Sequence, residues 1–177
     1  MAPATGLVCI DAFLTPENAA EIRHCGADFF IDACDDLLAK QAFILQFAAK
    51  ERVRQLIVCG AAGGKRDPGR VVVADMAQAA HDPLLSKLRY RLRKGHDFAR
   101  HGKMRVPVVF STEPMARSLA LPARLPKALQ QADERQPDRA VKAGPGSALA
   151  CAGYGSSVMV TATMGLQAAA WAVTQVG

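Results

Sequence analysis

In the first sixty residues, three short apolar runs, "LVCIDAF", "DFFIDA" and "QLIVCG", are separated by two segments with helix patterning. This alternation limits the fold more than any other feature of the chain. "TPENAAEIRHCG" carries helix signals, with Thr15 as N-cap, Pro16 and Glu17 in the first turn and Gly26 as the stop. A second helix is expected from Leu37 to about Arg52, with Leu38, Ala42, Ile44 and Leu45 facing inward. A β-α-β-α-β order implies parallel strands joined by right-handed crossovers, because only that hand packs each helix back onto a twisted sheet. "QLIVCG" is apolar enough to be covered on both faces.

Beyond "GAAGGKRDPG" the pattern changes. "RVVVADM" and "VPVVFSTE" read as further strands, and "DPLLSKLRYRLRK" as a helix opening at Asp82-Pro83. Residues 114–147 hold five prolines and little periodicity, and are expected to form a long, mobile crossover loop. "SSVMVTATMGLQAAAWAV" closes the chain as a helix. The expected organisation is one domain, made of a strand-and-helix part (1–113), the loop (114–147) and the closing helical part (148–177).

Composition narrows the class. At 177 residues, half apolar and about a fifth charged, the chain can bury one real core. Its net charge of +6 favours a polyanionic partner. The start lacks the basic-then-apolar pattern of a secretory signal. Five cysteines without a Cys-x-x-Cys pair argue against zinc ribbons and thioredoxin-type sites, and suit reduced cytosolic thiols. No charged residue follows Lys142, and the stretch 151–176 is long enough to cross a bilayer. Its richness in Ala, Gly, Ser and Thr fits better a buried helix lying close on a sheet, with Gly165 at the approach. The expected location is cytoplasmic, with membrane association through 151–176 as the alternative.

Three motifs carry chemistry. Ligands of open α/β sheets sit beyond the carboxyl ends of the strands, and Asp32, Asp35 and Asp36 lie at such an end, with no base before Lys40. One carboxylate can cap the following helix. The others face either solvent or a positive group such as a magnesium nucleotide. "CGAAGGKR" fails as a phosphate loop, since Cys59 stands at the first Gly position and Arg66 at the Ser/Thr position. Gly60, Gly63 and Gly64 instead suit a tight turn, near a ligand or not. Lys87, Arg89, Arg91, Arg93, Lys94, Arg100, Lys103 and Arg105 oppose only Asp97. A solvated helix face usually mixes signs, so a nucleic-acid backbone is the complement expected here. Cys34 and Cys59 also lie at strand ends, where small buried thiols are the commoner role.

Several segments together resemble the tRNA threonylcarbamoyladenosine dehydratase family, a branch of the E1-like (ThiF-type) adenylating enzymes. They are "DAFLTPENAAE", "FFIDACDDLLAKQAFI", "GAAGGKRDPGRVVVADMAQAAHDPLLSKLRYRLRK", "VPVVFSTEP" and "CAGYGSSVMVTATMGLQAAA". The resemblance implies the C-terminal part of an E1-like Rossmann-type domain, mostly parallel with added antiparallel strands and a closing helix. It implies ATP-dependent cyclisation of N6-threonylcarbamoyladenosine at position 37 of tRNA, through an acyl-adenylate and with net loss of water. It also implies ATP and Mg2+ as cofactors, tRNA as partner, a homodimer in the full-length family and no zinc. Asp35 matches the family aspartate at the nucleotide and magnesium, and Lys40 a lysine of the following helix.

The chain departs from that pattern at three places. Leu38 stands where the family has Arg, and Val108 where some relatives have Cys, so no thiol step carries over to that position. The family's leading β-α-β unit, with its Gly-rich loop and phosphate-binding Arg, has no counterpart in the quoted segments. A complementary N-terminal half, in this gene or as a second chain, is therefore expected. The alternatives are a non-catalytic tRNA-binding or scaffold remnant, and an E1-like activator of a carrier protein's C-terminus.

Overall fold

Alternate residues of a strand go to opposite faces of its sheet, and here both faces are apolar. The computed structural model describes residues 6–48, 55–114 and 155–175. Four strands, β1 (Phe30–Asp32), β2 (Leu56–Cys59), β3 (Val71–Asp75) and β4 (Pro107–Ser111), form one sheet in the order β1-β2-β4-β3. β1, β2 and β4 are parallel, and β3 runs antiparallel to β4. The mostly parallel α/β sheet read from the sequence is present.

The helices α1 (Ala19–Arg23), α2 (Leu37–Ala48) and α3 (Pro83–Gly95) serve one face. There Phe30, Leu56, Val58, Val108 and Phe110 meet Ile44, Phe47, Leu85, Leu88 and Leu92 in the larger core cluster. Phe30, Phe43 and Phe47 pack edge to face, with centroids 5.2–5.6 Å apart. The Arg23 guanidinium lies 4.8 Å from the Phe47 ring centre and ties α1 to this cluster. The other face is thinner. Ile57, Val71 and Val109 are covered by Val160, Met164 and Ala168 of α4 (Val158–Thr174), one stripe at intervals of four.

Local chemistry explains the helix starts. Asp36 accepts from the Ala39 amide at 2.7 Å and Asp82 from the Leu85 amide at 2.9 Å, each capping the helix after it. Ahead of α1, the Thr15 amide donates to Asn18 Oδ1 at 2.8 Å and the Asn18 amide to Thr15 Oγ1 at 3.4 Å. The expected Thr15 cap is thus a reciprocal pair, and helix proper begins only at Ala19.

Five expectations need correction or lie out of reach. "LVCIDAF" forms no strand; Leu7 is 87% and Phe13 92% exposed. An apolar run shows a tendency to be buried, but a strand also needs a neighbouring ladder, and β1 keeps a free outer edge among the described residues. Leu38 is 50% exposed rather than inward, because Ala39, Phe43 and Phe47 take the core side of α2. Among the described residues, no atom outside its own helix backbone comes near a Cβ built at Gly165, so α4 makes no close approach there. The crossover loop and the far end of the second helix lie outside the described residues. Among the described residues, no helix is long and apolar enough to cross a membrane.

Candidate functional site

Because β1, β2 and β4 are parallel, their carboxyl ends lie on one edge, and the loops after them meet there. The acids at this edge divide into three roles. Asp32 is buried, and its Oδ1 takes the Lys40 ammonium at 3.1 Å and the Cys34 amide at 3.1 Å. Lys40, itself fully buried, also donates to the Asp32 carbonyl at 3.1 Å. Asp36 is spent on the cap. Asp35 is exposed and makes no side-chain hydrogen bond or ion pair among the described residues. Asp32 Oδ2 is buried without a hydrogen-bond partner among the described residues. The base that the three acids lacked in linear sequence is therefore Lys40, one helical turn on, and it neutralises only Asp32.

The glycine loop is filled from within. A Cβ at Gly60 would collide with the Asp82 carboxylate, whose Oδ2 accepts the Ala61 amide at 2.8 Å. Gly64 takes the left-handed conformation at φ +72°, and its amide donates to the Gly155 carbonyl at 3.0 Å. The Arg66 and Asp67 amides both donate to Glu113 Oε2 at 2.8 Å. These backbone donors hold the Glu113 carboxyl below its usual range. Lys65 is buried and donates to the Ser111 carbonyl at 2.6 Å. Burial pulls its pKa down, opposed by the Asp82 and Glu113 charges. In a phosphate loop such amides point at the ligand; here protein oxygens take four of them.

The thiols of the edge are quiet. Burial, with the Asp32 charge second, pushes Cys34 up to about 12, and burial also raises Cys59. Nucleophilic sulfur needs the thiolate, so both stay protonated at neutral pH.

The basic stretch separates into inward and outward groups. Leu84, Leu85, Leu88 and Leu92 are buried along α3. The Arg89 guanidinium donates to the Met76 and Ala79 carbonyls at 3.1 and 2.7 Å, and Arg93 Nε to the Ala99 carbonyl at 3.0 Å. Both are bound within the fold. Lys87, Tyr90, Arg91 and Lys94 form an exposed stripe, and Arg100, Lys103 and Arg105 are exposed on the loop after α3. Asp75 shapes that loop, accepting the Met104 amide at 2.9 Å and the Arg105 amide at 2.6 Å. Gln41, next to Lys40, links the edge to the basic face. Its Oε1 accepts from Arg91 at 3.4 Å, and its Nε2 lies 2.8 Å from His96 Nε2.

Sequence reasoning did not single out Asp75, Lys65, Glu113 or Gln41. Only Asp82 carried a signal, as the acid ahead of Pro83.

No family model matches the chain. It is 33% identical over 173 residues to the tRNA threonylcarbamoyladenosine dehydratase of Escherichia coli K12, covering 97% of this chain and 60% of that protein. The Haemophilus influenzae protein of the same name is 31% identical over 159 residues, covering 88% of this chain and 53% of its own length. Among solved structures, E. coli TcdA superposes with a TM-score of 0.68 at 30% identity, covering 94% of this chain and 54% of that one. The same enzyme in complex with ATP gives 0.69. The chain spans between about half and three fifths of these curated relatives. By sequence and fold together it is similar to the tRNA threonylcarbamoyladenosine dehydratases over that share of their length.

Proposed function

We propose that this chain is the C-terminal portion of an ATP-dependent enzyme that cyclises N6-threonylcarbamoyladenosine in tRNA, and that it works with a complementary N-terminal half. The observation that carries this reading is the division of labour among the acids. Lys40 neutralises Asp32 and Asp36 caps a helix, which leaves Asp35 as the exposed carboxylate at the strand ends. A relative of the same fold has been crystallised with ATP.

In this reading Asp35 would hold Mg2+, which would supply neutralisation of phosphate charge. Among the described residues no three His, Cys, Asp or Glu side chains are grouped to hold a metal alone. The Lys40–Asp32 pair keeps the loop bearing Asp35 in place. The substrate carboxylate attacks the α-phosphorus and expels pyrophosphate; ring closure then expels AMP, with net loss of water. Amides 61, 64, 66 and 67 are already engaged, so the phosphate donors come from the complementary half, or from a second copy if the homodimer of the full-length family forms. The exposed cations from Lys87 to Arg105 face the tRNA in a cytoplasmic protein.

The same engaged amides favour a second reading, a tRNA-binding remnant without catalysis. ATP–pyrophosphate exchange separates the two. The 177-residue chain alone is expected to show none. Addition of the N-terminal half of the E. coli relative is expected to restore exchange, and Asp35→Asn to abolish it again. Tight tRNA binding without exchange in any combination would leave the remnant.

A further inference from the structure

Once Arg89 and Arg93 are seen to be tied to carbonyls, the outward face of α3 is small and specific. Lys87, Tyr90, Arg91 and Lys94 follow the i, i+3, i+4, i+7 spacing of one helical stripe, about 10 Å long at 1.5 Å rise per residue. Tyr90 is 63% exposed, and the Lys94 ammonium sits 5.7 Å from its ring centre. A surface that only tracks duplex phosphates needs cations and gains nothing from an exposed ring. Unpaired RNA is recognised differently, by stacking splayed bases on aromatic side chains while nearby cations hold the backbone. The surface cation–π contact with Lys94 is weaker than base–aromatic stacking, so a base can displace it.

We propose that Tyr90, framed by Lys87, Arg91 and Lys94, is a stacking platform for an unpaired nucleotide, so that this face selects a single-stranded RNA loop over a duplex. The proposal rests on the reading that α3 faces RNA, and deepens it. Gln41 holds Arg91 toward the strand-end edge, so a base stacked on Tyr90 lies on the helix face bonded to the residue after Lys40.

The test is fluorescence anisotropy of the full chain with two labelled RNAs of equal length, a hairpin with an unpaired loop and a perfect duplex. Circular dichroism confirms that each variant folds. Tyr90→Ala is expected to weaken hairpin binding about five- to a hundredfold and leave the duplex nearly unchanged, while Tyr90→Phe binds the hairpin as the parent does. Replacing Lys87, Arg91 and Lys94 together by Ala is expected to weaken both RNAs and flatten the salt dependence. Equal hairpin binding by Tyr90→Ala and the parent would overturn the platform, with the RNA reading intact provided the charge variant still fails. Equal losses on hairpin and duplex would overturn the selection for a loop. RNA binding unaffected by the charge variant would overturn the RNA reading itself, and capture of poly-glutamate by the same stripe would assign it to an acidic protein partner.

Discussion

Lys40 and Lys65 are both buried lysines at the carboxyl edge of the sheet, and they are held in different ways. Lys40 meets a carboxylate and a carbonyl of the same residue, Asp32. Lys65 donates to one carbonyl, that of Ser111, while Asp82 and Glu113 act on it only through their fields. The first is a buried ion pair. The second is a cation whose cradle is one hydrogen-bonded carbonyl, with no carboxylate in contact among the described residues, and burial lowers its pKa. The contrast shows that burying an ammonium has two solutions, with opposite consequences when the lysine is removed.

The largest expected effect tests the buried pair. Lys40→Met leaves Asp32 buried and uncompensated, and should cost about 3–5 kcal/mol in urea unfolding. Adding Asp32→Leu should restore most of that loss, since a buried pair replaced by apolar groups is often neutral. A double variant as unstable as the single one would break the comparison.

A smaller effect is expected beside the cradle. Gly60→Ala forces the Asp82 carboxylate away from the Ala61 amide and should cost about 1–3 kcal/mol. Gly165→Leu, pointing into open space, should stay within about 0.5 kcal/mol. Thermal midpoints of the two variants check the pair.

At the cradle itself the effect on stability is small, and its pH dependence is what reads it. Lys65→Met should change stability by no more than about 1 kcal/mol near neutral pH, because lost desolvation offsets the orphaned Ser111 carbonyl. The pH dependence carries the sign. Lys65 has a folded pKa below its unfolded value of 10.5, so the unfolded chain binds more protons in the window beneath 10.5. Stability contributed by this group therefore rises with pH across that window. Lys65→Met should remove that rise. Cys34, raised to about 12, acts oppositely above its ordinary value but is common to both proteins and cancels in their difference. Unfolding midpoints measured from neutral to alkaline pH decide it.

What the sequence showed and what it hid follow one physical line. β2 was legible because "LIVC" is apolar at every position, as a strand covered on both faces must be. That one of the acids ahead of α2 would cap it was legible because capping is local, but the choice of Asp36 rather than Asp35 was not. The partner of Asp32 was not: Lys40 looks like an ordinary helix lysine until β1 and α2 are packed together. Arg89 read as one more surface cation, since its carbonyl acceptors at Met76 and Ala79 depend on how the turn ahead of α3 folds back. "LVCIDAF" failed as a strand because pairing is non-local. The family resemblance reached Asp35 by motif, but the reason that Asp35 is the exposed acid is visible only in three dimensions.

The thin face of the sheet has a consequence for spectroscopy. The chain carries a single tryptophan, Trp171, and it lies on α4, packed against the smaller cluster with Ile57 and Val109. The aromatic triad of the other face has no indole. Tryptophan emission, excited selectively over the two tyrosines, is therefore a reporter of α4 docking, while far-UV ellipticity is weighted across all four described helices. Two probes that would be redundant in most chains report, in this one, on a single helix and on all the helices together.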